Sequence, residues 1–204
     1  MTTTNKPINQ RTTTRMIATG GVLAAAAVIL RFIETSIPFL FPSFLKIDIS
    51  NIPALIGAFA MGPVVGLAIL LIKNIAYLPV TTTGGVGEIA DFMVSLSLVL
   101  PAAMVYRYNK SRKGAIWGMA LGTAVMALLG GPLMNYYVLI PLYSKFMPIE
   151  QIFKLAALVN PGINSLWTYI LYAVVPFNFV KALVVCTITY FLYKPLSPIL
   201  HKYR

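Results

Sequence analysis

The sequence predicts an all-α integral membrane protein, a compact bundle of six transmembrane helices with both termini in the cytoplasm. Three observations carry that reading. The chain of 204 residues is 58% hydrophobic and 10% charged, with a mean hydropathy of +0.81, whereas soluble domains are roughly 45–50% apolar and about 25% charged. Its apolar residues gather into runs of about the 20 residues that a helix needs to cross a bilayer. Its basic residues crowd into alternate connections between those runs.

Residues 1–15 read as a polar tail, 16–194 as the membrane domain and 195–204 as a basic tail. No short apolar region with a cleavage site follows the first residues, so the first apolar run reads as a retained span and not as a signal peptide. Span one is expected from Met16 to Ile33. A polar connection with Pro38, Pro42, Lys46 and Asp48 follows. Span two is short, from Ile52 to Ala60, and Gly62-Pro63 marks a tight turn. Span three runs from Val64 to Val80 and meets Thr81-Thr82-Thr83-Gly84-Gly85-Val86-Gly87, a stretch of turn formers. Span four covers Glu88 to Tyr106. Span five covers Ala115 to Leu142, with a kink expected at Gly130-Gly131-Pro132. The less apolar segment from Tyr143 to Ala173 reads as a long outer loop with short surface helices. Span six is expected from Val175 to Tyr193, where Pro176 in the first turn suits a helix start because its missing N–H would have no partner there.

Charge orients the bundle. The N-terminal tail, the 107–113 connection and the C-terminal tail hold ten cations (Lys6, Arg11, Arg15, Arg107, Lys110, Arg112, Lys113, Lys194, Lys202 and Arg204) and no acid. The opposite connections hold Lys46, Lys145 and Lys154 against Asp48 and Glu150. The positive-inside rule puts the richer side in the cytoplasm. The net charge of +11 is then mostly topology. A nucleic-acid partner would want a solvated basic domain, and the sequence has none.

The polar residues inside the spans fall in their outer halves: Arg31 and Glu34, Lys73 and Asn74, Glu88 and Asp91, Asn135, and Asn178 with Lys181. A lysine at mid-membrane costs about 2.5–3.5 kcal/mol on insertion scales, so such groups face a bundle interior and have partners. For Arg31, Glu34, Lys73 and Asp91 the reading is mutual pairing between helices. Glu88 and Asp91 also suit the positive end of a helix dipole. For Asn135, Asn178 and Lys181 the reading is contact with a polar ligand, since no acid lies near Lys181 in sequence. Small residues four apart, Gly20 with Ala24 and Gly21 with Ala25, offer a close-packing face, for another span or for a partner subunit. The one cysteine, Cys186, reads as a buried filler. The one histidine, His201, lies in the tail. No Gly-x-x-x-x-Gly-Lys-[Ser/Thr], His-Glu-x-x-His or Gly-x-Ser-x-Gly occurs, so neither ATP hydrolysis nor a familiar catalytic constellation is supported.

Several stretches together resemble a known family: Phe44-Leu45-Lys46-Ile47-Asp48-Ile49-Ser50-Asn51, Ile72-Lys73-Asn74, Thr83-Gly84-Gly85-Val86-Gly87-Glu88, Asn135-Tyr136-Tyr137 and Pro176-Phe177-Asn178-Phe179-Val180-Lys181. The chain is similar, over about residues 16–194, to the substrate-binding S components of energy-coupling factor vitamin transporters, and in particular to their riboflavin-binding members. The resemblance implies one riboflavin held near the outer face under the first and fifth loops. It implies ligand contacts from Asn135, Asn178 and Lys181, from Phe44, Leu45, Lys46 and Ile47, and from Gly85 and Gly87, with Tyr136 as an aromatic wall. It also implies docking of a transmembrane coupling subunit through Gly21 and Ala25, where glycine stands for the family's first alanine, and two cytoplasmic ATPases that consume ATP. Riboflavin would be cargo, with no cofactor and no enzymatic activity, and the chain a multi-pass protein of a bacterial cell membrane. Two other readings stay open: an S component for folate, thiamine or biotin, and an autonomous proton-coupled carrier using Asp91 or Lys73.

Overall fold

In the computed structural model, residues 10–42, 44–81, 83–144 and 148–202 are described. Lys6, Arg204, Lys145 and Thr82 lie outside them, as do the side chains of Arg11, Lys194, His201 and Lys202. The chain is helical almost throughout. Helix α1 (Gln10–Phe32) starts earlier than expected, because no glycine or proline interrupts its first turns. A small antiparallel ribbon follows, Thr35–Ser36 paired with Lys46–Ile47 in the register Thr35 to Ile47.

Helix α2 (Asn51–Met61) is wholly buried from Asn51 to Ala60. At about 1.5 Å per residue it is about 16 Å long, half the depth of a bilayer core. Gly62 joins α2 to α3 (Pro63–Tyr77) at φ 103°, a conformation that only glycine adopts cheaply. Gly66 lets the two helices touch, since a Cβ there would meet the Ala58 methyl at 2.6 Å. A 3₁₀ turn (Leu78–Val80) ends α3.

Helix α4 (Val86–Tyr108) packs antiparallel on α5 (Arg112–Val125) along two glycines. Gly118 faces Ala102, and Gly122 faces Leu98. The fifth helical column continues from α5 through a π turn (Met126–Gly130), α6 (Gly131–Met134), a second π turn (Asn135–Leu139) and α7 (Ile140–Tyr143). After α8 (Ile149–Ala157), the last column opens with α9 (Leu166–Tyr169), passes a third π turn (Ile170–Val174) and ends in α10 (Val175–Lys202).

Each π turn is followed by a helix whose second residue is proline: Pro132, Pro141 and Pro176. Proline has no N–H and crowds the carbonyl four residues back. Widening the preceding turn by one residue absorbs that conflict without breaking the column. This corrects the expected start of span six. Pro176 does not begin the helix; the column begins at Leu166, where Ser165 and Thr168 form a reciprocal capping box. Likewise Gly130-Gly131-Pro132 is the exit of a π turn.

Among the described residues, five helices are long and apolar enough to cross a membrane, and α2 is a shorter apolar one. Gly131 lies against Asn178, and Thr123 lies 3.7 Å from Cys186, so the last column runs antiparallel to the fifth. The helices alternate in direction. One end of the bundle carries loops 33–50, 78–85 and 144–165, here termed the loop end, and Gln10 and Lys202 both lie at the other. The main core joins α1 to α5 and α10 around Leu55, Leu70, Leu98 and Val185. A second core under α8 joins Ile140, Ile152, Ala156, Tyr169 and Val174. A third, of Phe41, Ile47 and Phe177, seats loop 33–50 on the last column.

Candidate functional site

The polar residues flagged in separate spans meet beneath the loop end. Their centre is Asp48, which the fold of loop 33–50 lowers between α1 and α10. Its Oδ2 accepts from Arg31 at 3.0 Å and from Lys181 at 2.8 Å. Its Oδ1 accepts from the Ser50 amide at 2.9 Å and from the Ser50 hydroxyl. Burial pushes the Asp48 carboxyl up, but Lys181, Lys73 and Arg31 together outweigh it and hold it well below the usual carboxylate range.

Asp91, one turn into α4, lies between two lysines, 3.0 Å from Lys73 and 3.1 Å from Lys181. Lys73 is fully buried and also donates to the Ser50 hydroxyl at 2.7 Å and to the Asn51 side-chain oxygen at 2.6 Å. At the rim Arg31 pairs with Glu34 at 3.3 Å, three residues along the chain, and Lys46 also reaches Glu34. Arg31 covers the Tyr77 ring at 4.8 Å. The expected pairing of Arg31, Glu34, Lys73 and Asp91 is therefore present. Lys181, however, has acid partners that sequence could not place beside it, 133 and 90 residues away.

An ammonium has three N–H donors. Lys73 donates to Ser50 and Asn51 and stands 3.0 Å from Asp91 as an ion pair. Lys181 has two partners, Asp48 and Asp91, which leaves it one donor without a partner among the described residues.

Lys181 also adjoins one of the asparagines. Asn178 stands three residues before it, one turn away on α10. Asn178 donates to the Val174 carbonyl at 2.8 Å, and a Cβ on Gly131 would strike its amide nitrogen. Asn135 donates to the Gly131 carbonyl at 2.9 Å and lies 3.4 Å from the Tyr169 hydroxyl. Both bonds run to the carbonyl four residues back, a local arrangement available to a short amide inside a helix. Asn135, Asn178 and Lys181 are 6%, 5% and 5% exposed, so all three face the bundle interior. Gly131 is the contact between the two asparagines.

Tyr169, which reaches Asn135, and Phe177, next to Asn178 in sequence, each pair with a ring of loop 33–50. Phe44 lies 6.4 Å from Tyr169, ring to ring, and Phe41 meets Phe177 edge-on at 5.4 Å. Tyr136 lies against Tyr137 and Trp167. Of the loop residues singled out in sequence, Ile47 is buried against Phe177, Leu45 is half-buried, Phe44 is 42% exposed, and Lys46 faces solvent with Glu34. Tyr169 was not singled out in sequence, and neither was Asp48 as the hub. The signal for Asp48 lay in Asp48-Ile49-Ser50, where an acid two residues before a serine forms a side-chain turn ahead of α2.

The threonine–glycine stretch is bonded within itself. Thr83 Oγ1 accepts from the Gly87 amide at 3.0 Å, and Thr81 and Thr83 donate to Glu88 at 2.8 and 3.2 Å. Gly85 takes the left-handed conformation at φ 91° that starts α4. On α1, Gly21 and Ala25 are both exposed, and nothing would stand within 4 Å of a Cβ on Gly21. Two cavities lie apart from the ion cluster. One, of about 330 Å³, sits at the α2–α3 turn beside Arg107 and Lys110; the other, of about 390 Å³, is an apolar groove between α5 and Phe179. Among the described residues no cluster of His, Cys, Asp and Glu could hold a metal ion.

Known proteins share this architecture. The family profile described as "ECF transporter, substrate-specific component" matches residues 15–193. The chain is similar to the riboflavin transporter RibU of Staphylococcus aureus, 34% identical over 197 residues that cover 97% of each chain. It is similar to the riboflavin transporter FmnP of Bacillus subtilis, 30% identical and covering 90% of this chain and 92% of that one. A solved S component of a bacterial ECF transporter superposes with a TM-score of 0.72 at 31% identity, covering 93% of this chain and 99% of that one. Profile, relatives and fold agree: the chain belongs to the substrate-specific components of the ECF transporters, which are multi-pass membrane transport proteins and not enzymes.

Proposed function

We propose that this chain binds riboflavin at the loop end, facing the outside of a bacterial cell, and passes it inward together with a transmembrane coupling subunit and two ATPases. The observation that carries the reading is the buried set of Asn135, Asn178 and Lys181, two amides and an ammonium with one N–H uncommitted among the described residues, with Tyr169 against Asn135. A flavin ring has a flat apolar body and one edge of carbonyls and an imide. Amides can serve such an edge as donor and acceptor, and aromatic side chains suit its faces. The relatives named for riboflavin transport support the same choice.

Within this reading, Phe44, Leu45 and Ile47 close the loop over the ligand, while Tyr136 supplies a wall. Gly85 and Gly87 shape the start of α4, and Lys46 stays at the solvent rim. Gly21 and Ala25 form the bare strip on α1 against which the coupling subunit packs, since small residues four apart let helix backbones approach closely. The two ATPases supply the energy, consistent with the absence of any nucleotide motif from the sequence.

The test is a titration of purified protein in detergent with riboflavin, folate, thiamine and biotin, read by quenching of flavin fluorescence and by calorimetry. Riboflavin is expected to bind far more tightly than the others. Tight binding of another vitamin, with none of riboflavin, refutes the proposal. Uptake in cells lacking the coupling subunit and ATPases would refute the coupled mechanism.

A further inference from the structure

We propose that Asp91 and Asp48 are positioning residues that act on the ligand through Lys181, fixing its ammonium so that a single N–H is presented to a neutral acceptor. The inference rests on the riboflavin reading and adds to it the groups that set the donor geometry and the charge of what is admitted.

A lysine side chain is long and flexible, and its ammonium is a point charge with freely rotating donors. Alone, Lys181 would address many positions. Here two carboxylates from different elements fix it, Asp48 of loop 33–50 at 2.8 Å and Asp91 of α4 at 3.1 Å. With two of three tetrahedral directions taken, one remains. Asp91 is itself held by Lys73, whose other contacts go to Ser50 and Asn51 at the start of α2. The chain of contacts from α2 to Lys181 is therefore continuous.

The two lysines stand differently to the amide patch. Each acid is shared, Asp48 with Arg31 and Asp91 with Lys73. Lys73 is fully buried and donates to Ser50 and Asn51; Lys181 donates to the two carboxylates alone, one helical turn from Asn178, with one N–H uncommitted among the described residues. The flanking carboxylates also bear on ligand class. Asp48 and Asp91 counter most of the charge of Arg31, Lys73 and Lys181, so the N–H that remains is a directed donor suited to a neutral carbonyl or ring nitrogen and not a bare cation.

The experiment is a double-mutant cycle in the full-length protein in detergent, with riboflavin as the probe, using Asp91→Asn in the native and Lys181→Met backgrounds. Size-exclusion profile and thermal melting report folding. Asp91→Asn is expected to weaken riboflavin binding at least tenfold in the native background and less than twofold once Lys181 is methionine. Equal factors in both backgrounds would mean that Asp91 matters only as a structural partner of Lys73, and would overturn the proposal while leaving the riboflavin reading intact. If native protein binds no riboflavin in the same titration, the riboflavin reading itself fails, and this inference with it. If Asp91→Asn does not fold, Asp91→Glu replaces it in the cycle, because it keeps the charge and displaces the carboxylate by one methylene; the same two factors decide.

Discussion

Asp48→Asn tests the ion cluster most directly. The carboxylate is almost wholly enclosed and accepts on both oxygens, from Arg31 and Lys181 on one and from the Ser50 amide and hydroxyl on the other. An asparagine has only one acceptor oxygen. Turned toward Ser50, it points an NH₂ at two cations; turned toward the cations, it points the NH₂ at a backbone N–H. Either way a donor faces a donor. Removing one member of a buried ion pair costs about 3–5 kcal/mol when it strands the partner's charge. Here Arg31 keeps Glu34 and Lys181 keeps Asp91, so a loss of about 2–4 kcal/mol is expected. The pH dependence has a definite sign. Because the folded carboxyl titrates below its unfolded value, its contribution is present above about pH 4 and is lost as the pH falls toward the folded value. Thermal unfolding in detergent should therefore show native protein losing stability as the pH drops below about 4, with a shallower acid slope in Asp48→Asn. A variant within about 0.5 kcal/mol of native at pH 7, with an unchanged acid slope, would refute the reasoning.

Three further outcomes are expected. Lys181→Ala should weaken riboflavin binding by about 10- to 100-fold, the worth of one charge-assisted hydrogen bond, while the protein still folds because Asp48 retains Arg31 and Asp91 retains Lys73; fluorescence titration beside a melting curve checks both. Ala25→Leu should leave binding and melting temperature unchanged and impair uptake in cells, since position 25 is exposed; normal uptake would remove that face from docking. Gly131→Ala should weaken binding as strongly as loss of Asn178 itself, because the new methyl would collide with the Asn178 amide, and it should cost about 1–3 kcal/mol of stability from overpacking.

The helices were readable because membrane spans are encoded locally, by length and hydropathy. Their ends near proline were not. Pro176 looked like a helix start because a widened turn leaves no composition signal; only the recurrence of proline after each π turn reveals the rule. The intramembrane polar residues were readable as a set, because their cost demands partners wherever they occur. Which partner each would find was not. Lys181 meets an acid that a short loop carries in from the far side of the sequence, and nothing local to either residue specifies the pairing. Gly85 and Gly87 entered as ligand contacts through the resemblance alone; in the structure Thr81 and Thr83 donate to Glu88, and Thr83 accepts from the Gly87 amide. That outcome depends on where Glu88, the third residue of α4, points.

The two sides of the bundle differ in stiffness. Around α1 to α4 the charged groups act as rivets: each carboxylate is gripped from two or more directions, and displacement would expose charge to hydrocarbon. The columns carrying Asn135 and Asn178 are instead segmented, with a joint at every proline-linked π turn. Lys181 lies just below the last joint, where articulated column meets riveted frame. A bend at that joint would move Tyr169, above it, relative to Asn178 and Lys181, below it, and leave the pairs of Lys181 with Asp48 and Asp91 intact.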